Sequence, residues 1–251
     1  MRTLQSQAVR RTLSFILVFG AAFPASARTV DHSMWDSILQ DSVEDGVVDY
    51  GKIQERYADL QGYLQTLETV PLDELDRNEK MALFINAYNA QCVRGVLDRG
   101  EIESVRNVFL FFKRTKFVLG GQDFSLDSLE HEALRPMGDP RIHFAIVCSS
   151  KSCPELVNEA YTSENLDAML DRQARKFLAD PEKNRLDREE KTLYLSKIFK
   201  WFEEDFTKDQ PSILAYVSQY LDDSTAKFLE ERKGEIRVEF LPYDWSLNGH
   251  Y

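Results

Sequence analysis

Apolar residues recur at intervals of three and four along much of the chain, and this spacing predicts amphipathic helices. The segments with helical spacing are residues 32–43, 57–67, 78–97, 126–135, 163–178 and one beginning at Pro211. Period-two or continuous apolar runs predict strands instead. A hairpin is predicted within 107–126, with an aromatic run, a basic turn and a second apolar run before Gly120 and Gly121. The other runs are a strand at 141–147, a strand that runs into an aromatic-rich helix within 192–206, and an alternating strand with a polar-aromatic tail within 235–251. Together they predict an α+β fold, a single mixed domain whose helices pack on a small, mostly antiparallel sheet.

The run at 141–147 is the most deeply buried strand that the pattern predicts. Ile142, Phe144 and Ile146 alternate, and the positions between them are also largely apolar. A continuous run of this kind is typical of a strand buried on both faces. His143 lies within it, in a setting where a histidine is more often a hydrogen-bonded core group than a catalyst.

The first 27 residues have the pattern of a secretory signal peptide. Arginines precede an apolar run at 13–23, which is too short to span a bilayer, and Ala25, Ser26 and Ala27 supply the small residues of a cleavage site. We expect cleavage after Ala27 and a mature, soluble protein of residues 28–251 in the periplasm or outside the cell. No later stretch reaches the roughly 20 apolar residues of a membrane helix, so no integral span is expected after signal removal.

The composition narrows the classes of partner. Asp and Glu number 42 and Lys and Arg 31, which gives a formal net charge of -11. Nucleic acid and anionic membrane surfaces bind cationic footprints, so neither is an expected partner. A small-molecule or peptide ligand is expected instead, with no cofactor or metal, and the oligomeric state is left open. The chain also lacks the G-x-S-x-G, P-loop, G-x-G-x-x-G and H-E-x-x-H motifs of common enzyme classes.

Reactive side chains are concentrated in residues 143–154, HFAIVCSSKSCP. The segment holds His143, Cys148, Ser150, Lys151, Cys153 and two further serines. Its two cysteines leave three alternatives open: a structural disulfide, a reactive thiol or part of a metal clip. A disulfide across so short a loop is worth about 2 kcal/mol in the chain-entropy model. A zinc site would need Cys92 as a third ligand and His131 or His143 as the fourth, which is not a typical structural zinc spacing.

A thiol nucleophile has to be partly ionised, partly exposed and close to a base or a cation. Cys148 is the candidate nucleophile, and His143 is the candidate base that accepts its proton. Lys151 and Arg141 are nearby cations that would lower the pKa of the thiol. Cooperation between His143 and Cys148 requires the chain to turn near Val147, because residues five apart on a straight strand face opposite sides.

Two asparagines interrupt the apolar helix predicted at 78–97. Asn86, Asn89 and Cys92 recur every three residues, so they lie on adjoining parts of one face. A buried amide is unfavourable by roughly 1–3 kcal/mol unless it is hydrogen-bonded. The two amides either tie loops to the helix or line a pocket beside the histidine, where Asn89 or His131 would orient the base or stabilise an oxyanion.

Six sequence blocks together resemble the domain of unknown function 547 family. The blocks are GVVDYGKI, INAYNA, SLDSLEHEALR, PRIHFAIVCSSKSCPEL, LSKIFKWFEEDF and YDWSLN. The family-motif positions present here are Asn86, Asn89, His131, Arg135, Arg141, His143, Cys148, Ser150, Cys153, Trp201, Asp205, Tyr243, Trp245 and Asn248. The resemblance spans residues 35–248, leaves Cys92 outside every motif, and implies a shared scaffold with a site, in bacterial exported proteins and plant proteins that have no agreed activity.

Two functions fit these patterns. The first is a thiol-dependent hydrolase or acyl transferase on peptide-like or amide bonds, with Cys148 as nucleophile, His143 as base and Asn89 or His131 assisting. Its expected binding residues are Asn86, Arg135, Arg141, Ser150, Lys151 and Cys153. The second is a non-catalytic ligand- or peptide-binding scaffold in which Cys148 and Cys153 form a structural disulfide. The arrangement is also weakly similar to papain-like and transglutaminase-like cores, which place their cysteine where this chain has INAYNA.

Overall fold

A computed structural model describes residues 28–251, and the predicted signal peptide at 1–27 lies outside the described residues. The helices are α1 (Ser33–Ser42), α2 (Tyr50–Glu55), α3 (Tyr57–Leu67), α4 (Arg77–Leu97), α5 (Phe111–Arg114), α6 (Leu126–Ser128), α7 (Leu166–Ala179), α8 (Lys197–Trp201), α9 (Glu203–Thr207), α10 (Ile213–Val217) and α11 (Asp223–Glu231). The strands are β1 (Val43–Glu44), β2 (Val47–Asp49), β3 (Lys116–Leu119), β4 (Gln122–Ser125), β5 (Arg185–Asp187), β6 (Thr192–Leu195), β7 (Arg237–Phe240) and β8 (Gly249–His250). Short 3₁₀ turns occur at Leu72–Glu74, Val105–Asn107, Arg135–Met137 and Pro140–Phe144, and a π-helical turn at Leu129–Leu134. The predicted α+β fold is confirmed.

The strands form three small sheets rather than the single sheet that was predicted. The orders are β1-β2-β8, β3-β4 and β5-β6-β7. The pairs β1–β2, β3–β4 and β5–β6 are antiparallel, whereas β2 pairs with β8 and β6 with β7 in parallel. No strand is longer than four residues within residues 28–251, so each sheet covers only a small part of a core and helices supply the remaining apolar surface.

Helix α4 is the central element. Asp76 caps its first turn by accepting a hydrogen bond from the Glu79 amide. Every residue from Met81 to Val93 is buried, which is the pattern of a helix surrounded by protein on all sides. The two asparagines of the INAYNA block therefore lie in the interior, where their amides need partners.

Two hydrophobic clusters meet at residues 140–147. The first surrounds α4 and includes Ile142 and Ala145. The second contains α7 to α10 and includes Phe144, which packs against the rings of Phe177 and Phe199. This short segment therefore contributes side chains to both cores.

The predicted strand at 141–147 is wrong. Residues Pro140–Phe144 form a 3₁₀ turn, which Asp139 starts by accepting a hydrogen bond from the Arg141 amide. The Ala145 and Ile146 amides then bond back to the Ile142 carbonyl, at 2.9 and 3.0 Å. Proline at the first position of a turn favours this outcome, and an apolar run buried on all sides has no period that separates a helical turn from a strand.

Residues 148–154, which contain Cys148 and Cys153, are called here the cysteine-bearing loop. Residues 243–250, called here the closing segment, return to this loop. The Lys151 amide donates to the Ser246 carbonyl at 2.9 Å, and the Asn248 amide donates to the Ser149 carbonyl at 2.9 Å. Strand β8 then pairs in parallel with β2. The closing segment therefore covers the loop and also completes a sheet. None of the helices in the described part of the chain is long and apolar enough to cross a membrane.

Candidate functional site

A cavity of ≈ 200 Å³ opens between the two cores, beside the cysteine-bearing loop. Its lining comes from α4, the π-helical turn, the loop, α8 and the closing segment. The lining residues are Tyr88, Phe112, Asp127, Glu130, His131, His143, Ile146, Cys148, Cys153, Pro154, Ile198, Trp201, Phe202, Tyr243 and Trp245. Apolar and aromatic surface makes up most of the wall, so the titratable groups of the lining lie in surroundings of low polarity.

Asn89 fixes the backbone that leads into Cys148. Its amide nitrogen donates to the Ala145 carbonyl and its amide oxygen accepts from the Val147 amide, both at 2.9 Å. These two bonds satisfy backbone groups that a neighbouring strand would otherwise have paired. Asn89 is buried behind the loop and is not among the residues that line the cavity. Of the two predicted alternatives, the structure shows the one in which the amide ties a loop to α4.

Asn86 makes the same kind of contact one turn earlier. It donates to the Tyr161 carbonyl at 2.7 Å and accepts from the Tyr161 amide at 3.0 Å. Asn86 therefore ties a different loop to α4 and is also absent from the cavity lining.

The loop turns sharply at Ser149, whose φ of 60° lies in the left-handed region. A non-glycine residue adopts this conformation at some energetic cost, and surrounding contacts have to maintain it. The Ser149 hydroxyl lies 3.4 Å from the Cys92 sulfur of α4, while Cys148 lines the cavity. The chain thus turns close to Val147, as cooperation between His143 and Cys148 would require. The segment before this turn is a 3₁₀ turn and not the predicted strand.

All three cysteines within residues 28–251 are free thiols, so the disulfide of the second predicted function is not present. The Cys148 amide donates to the Cys153 sulfur at 2.9 Å. The Cys148 sulfur lies 2.9 Å from the Ser150 hydroxyl and 3.3 Å from the Tyr243 hydroxyl. Cys153 and Ser150 are buried, and Cys148 is the half-buried member of the group.

These donors make Cys148 an acidic thiol. A hydrogen bond from the Cys153 thiol contributes most, the Ser150 and Tyr243 hydroxyls add to it, and together they outweigh burial and lower the pKa of Cys148 to about 6. Burial and the neighbouring Cys148 charge raise the pKa of Cys153 well above the ordinary thiol value. Cys148 is therefore the thiolate of the pair at neutral pH, and Cys153 stays protonated as a donor.

The predicted cations do not supply this stabilisation. Lys151 is exposed and is absent from the cavity lining. The Arg141 guanidinium pairs with Asp139 and Asp167, both at 2.8 Å, and it also lies outside the lining. Neutral hydroxyl and thiol donors thus take the place of the cation that commonly stabilises a thiolate.

Glu130 is a half-buried carboxyl group that lines the same cavity as Cys148. The Tyr88 hydroxyl lies 3.4 Å from one of its oxygens. Burial and the negative charge of Cys148 raise the pKa of Glu130 to about 7, against smaller opposing effects from Arg135 and Tyr88. Both protonation states of this carboxyl are accordingly populated near neutral pH.

His143 lines the same cavity but makes its hydrogen bond to Asp205. Its Nε2 lies 2.7 Å from Oδ2 of Asp205, and its ring stacks on Phe202 with centroids 4.0 Å apart. Arg135 donates two hydrogen bonds, of 2.7 and 2.9 Å, to the same carboxylate. No hydrogen bond joins His143 to Cys148, so the predicted dyad is not hydrogen-bonded in the structure.

The protonation of His143 follows from these contacts. Burial lowers the pKa of His143, although Asp205 acts in the opposite direction. Burial opposes ionisation of Asp205 too, but hydrogen bonds from His143 and Arg135 hold its pKa well below the usual range. Because an ionised carboxylate only accepts, Nε2 carries the proton of the neutral ring and Nδ1 is the basic nitrogen.

His131 also lines the cavity, at its exposed side. Its Nδ1 lies 3.1 Å from the Asp127 carbonyl, which can only accept, so Nδ1 is the donor. Nε2 of the neutral ring is left as an acceptor. Its ring meets Phe202 edge-on with centroids 6.4 Å apart.

Three aromatic rings form the outer wall of the cavity. Tyr243 and Trp245 of the closing segment pack against Trp201 of α8, with centroids 4.8 and 5.6 Å from the Trp201 ring. Trp201 is 45% exposed, which is unusual for so large an apolar side chain. The closing segment thus supplies both a wall of the cavity and a donor to the thiolate.

Residue-by-residue reasoning missed the contributions of Glu130, Asp205 and Tyr243. Asp205 and Tyr243 are family-motif positions without an assigned role, and Glu130 is not among the motif positions. A carboxyl group inside a largely apolar helical turn, next to His131, is the one local signal for Glu130. Within residues 28–251 no group of three or more His, Cys, Asp or Glu side chains is arranged to hold a metal ion.

Comparison with known proteins gives one match. A family model described as Protein of unknown function, DUF547, matches residues 72–178. No curated protein and no solved structure matches the chain. The matched range contains the cysteine-bearing loop and the asparagines of α4, whereas Trp201, Asp205 and the closing segment lie beyond it. Over residues 72–178 the chain resembles the DUF547 family of proteins of unknown function, as its motifs predicted.

Proposed function

We propose that the protein is a thiol-dependent hydrolase or acyl transferase that acts on amide bonds of peptide-like substrates, with Cys148 as the nucleophile. The observation that carries this proposal is the Cys148 sulfur itself, which lies 2.9 Å from the Ser150 hydroxyl and 3.3 Å from the Tyr243 hydroxyl at the wall of a mostly apolar cavity. A thiolate that is stable at neutral pH and reaches a cavity has the properties of a reactive cysteine.

The first step is attack of the Cys148 thiolate on the carbonyl carbon of the amide. The S–C bond forms, the C–N bond breaks, and the departing amine needs one proton. The carboxylic acid form of Glu130 supplies that proton, which leaves a thioester on Cys148 and a carboxylate on Glu130. The pKa of Cys148 is lowered and the pKa of Glu130 is raised. Opposite shifts of two groups in one cavity are typical of a site in which one group is the nucleophile and the other the acid.

The second step transfers the acyl group to water or to an amine. The acceptor loses a proton as it attacks the thioester, and the Cys148 thiolate is released. Nδ1 of His143 is the proposed base for this step, because its other nitrogen is committed to Asp205. The predicted base role of His143 is thereby retained, but for the acceptor and not for the thiol, which is already ionised at neutral pH.

Export is a further part of the proposal. Its support is the sequence of residues 1–27, whose charged start, short apolar run and Ala25-Ser26-Ala27 fit a cleaved signal peptide. A periplasmic or extracellular address would bring the enzyme into contact with peptide-like material outside the cytoplasm. Amino-terminal sequencing of the mature protein that begins at Arg28 would support it, and a protein retaining Met1 in the cytoplasm would contradict it.

Alkylation with iodoacetamide tests the reactive thiol. At pH 7 we expect one of the three cysteines, Cys148, to react in the native protein, with a rate that rises around pH 6 instead of near the ordinary thiol value of about 8.5. Ser150→Ala and Tyr243→Phe should each move that midpoint upward, because each removes a donor to the thiolate. Cys92→Ser should leave the midpoint unchanged, since it alters a buried sulfur outside the cavity.

A peptide thioester probe separates a reactive thiol from a catalytic one. The wild-type protein should form a covalent acyl adduct at Cys148, detected by mass spectrometry of the intact protein, and then lose it. His143→Asn should slow the loss by roughly 10²-fold, the usual contribution of a general base, so that the adduct accumulates. A midpoint of alkylation above pH 8, or acylation of another residue, would contradict the proposal.

A further inference from the structure

The cavity beside Cys148 is too small to hold a peptide-like substrate alone. Its volume is ≈ 200 Å³, whereas ligand sites commonly measure about 300–1,000 Å³. If the scissile amide lies at the sulfur, the rest of the substrate has to leave through the aromatic wall. The position of any adjoining depression therefore indicates where that remainder lies.

A groove of ≈ 600 Å³ adjoins the cavity across the same wall. The two share the rings of Phe112, Trp201, Tyr243 and Trp245. The other residues that line the groove are Val105, Arg106, Val108, Leu110, Phe111, Lys197 and Lys200. A bound peptide that crosses the shared rings can thus occupy the cavity and the groove at once.

The charge of the groove is opposite to that of the whole protein. The chain as a whole carries a net charge of -11, but the groove lining has three cationic side chains and no carboxylate. Across residues 28–251, seventeen ion pairs join Lys or Arg to Asp or Glu, and none of them includes Arg106, Lys197 or Lys200. Instead Arg106 lies over the Trp245 ring at 5.7 Å and Lys200 over the Phe240 ring at 5.8 Å.

Large apolar side chains are exposed in the groove and next to it. Leu110 (48% exposed) and Trp201 (45%) line the groove, and Phe109 (72%) precedes Leu110 in the chain, so three of the six exposed large apolar residues within 28–251 occur here. Leu110 also has a left-handed backbone, with φ 54°, which is costly for a branched aliphatic residue. Exposed apolar groups gathered beside unpaired cations mark a surface that binds a partner of matching chemistry.

We propose that this groove binds an acidic peptide segment that also carries large apolar side chains, and that this segment adjoins the bond presented to Cys148. The apolar side chains pack on the exposed rings, and the carboxylates pair with Arg106, Lys197 and Lys200. The link to bond cleavage rests on the proposed function, whereas the binding itself does not. The net negative charge and the small number of cations favour a peptide over a nucleic acid, which requires a larger cationic footprint.

Binding is measured by tryptophan fluorescence in the Cys148→Ser variant, which cannot turn a substrate over. Trp201 and Trp245 form the wall shared by the cavity and the groove, while Trp35 is fully buried in the first core, so a change in emission reports binding at that wall, and the charge variants below assign it to the groove. The probes are an acidic peptide of alternating glutamate and leucine residues and its counterpart with glutamine in place of glutamate. We expect the acidic peptide to bind and the neutral peptide to bind roughly tenfold more weakly or not at all.

Charge variants locate the contact. The double variant Lys197→Gln/Lys200→Gln should weaken binding of the acidic peptide roughly tenfold and leave the neutral peptide unaffected. The matched control is Lys227→Gln/Lys233→Gln, which removes the same charge from residues that line no part of the groove and should not change binding.

Three outcomes would overturn the inference. They are equal binding of the two peptides, equal effects of the two double variants, and tighter binding of single-stranded oligothymidylate than of the acidic peptide at physiological salt. Selective binding of the acidic peptide together with an unreactive Cys148 would instead retain the groove and refute the proposed enzymatic function.

Discussion

Replacing Asn89 by alanine is expected to lower the free energy of unfolding by about 2–4 kcal/mol and to slow alkylation of Cys148. The substitution leaves the Ala145 carbonyl and the Val147 amide buried without partners, each a penalty of about 1–3 kcal/mol. The same two bonds hold the backbone directly before Cys148. Their loss should move the thiol relative to Ser150 and raise its pKa. Urea unfolding measures the first effect, and iodoacetamide kinetics without denaturant measure the second.

Asn86→Ala is the matched control for this prediction. It removes an equivalent pair of buried hydrogen bonds to Tyr161 from the same helix, so we expect a similar loss of stability. Because Tyr161 is not part of the cavity, alkylation of Cys148 should keep its rate and its pH midpoint. Equal alkylation kinetics in folded Asn89→Ala and folded Asn86→Ala would show that the Asn89 contact does not position the thiol.

Replacing Glu130 by glutamine is expected to raise the free energy of unfolding above that of the wild type at pH 8. At pH 4 no such gain is expected. The folded-state pKa of Glu130 is raised from 4.5 to about 7, so between those values the folded protein holds a proton that the unfolded chain has released. Wild-type stability consequently falls as pH rises through that window. At 1.36 kcal/mol per unit, the variant should gain about 3 kcal/mol relative to the wild type between pH 4 and pH 8.

The measurement is denaturant unfolding of both proteins at several pH values. The groups that face the carboxyl are the Cys148 thiolate, Arg135, Tyr88 and Asp127, and they are the same in both proteins. Glu132→Gln, which alters an exposed residue of the same turn, controls for the loss of one negative charge. A difference between wild type and Glu130→Gln that does not vary with pH would mean that Glu130 is ionised normally in the fold.

The helices of the first core could be predicted closely from the sequence. The period of three and four residues gave residues 57–67 and 78–97, and the structure has Tyr57–Leu67 and Arg77–Leu97. In α4 the amphipathic signal, the Asp76 cap and the following Gly100 all favour one element. Local signals sufficed because the hydrogen bonds of a helix are themselves local.

The sheets could not be predicted in the same way. The predicted hairpin has the wrong strands and the wrong turn: its aromatic first run ends in α5, and the second run, β3, pairs with β4 across a turn at Gly120 and Gly121. The parallel pairings of β2 with β8 and β6 with β7 join segments that are distant along the chain. A hydrophobic period identifies an extended segment but carries no information about which remote segment it pairs with, so a single sheet was expected where three form.

The location of the site could be predicted from the sequence, but the contacts between its side chains could not. The density of polar groups at 143–154 pointed to the loop whose Cys148 lines a cavity in the structure. It could not indicate that His143 would turn to Asp205, 62 residues later, or that the donors to the thiolate would include Tyr243, 95 residues later. Which partner a buried polar group finds is decided by the packing of the two cores.

The return of the closing segment to the loop has a consequence for the biosynthesis of the protein. About a hundred residues are polymerised after Cys148 before Tyr243 exists to donate to its sulfur. Until Tyr243 and the loop have met, the thiol lacks part of the environment that makes it acidic, and its pKa is nearer that of an ordinary cysteine. Until folding is complete, a nascent chain therefore carries a thiol that is less acidic than the thiol of the folded protein.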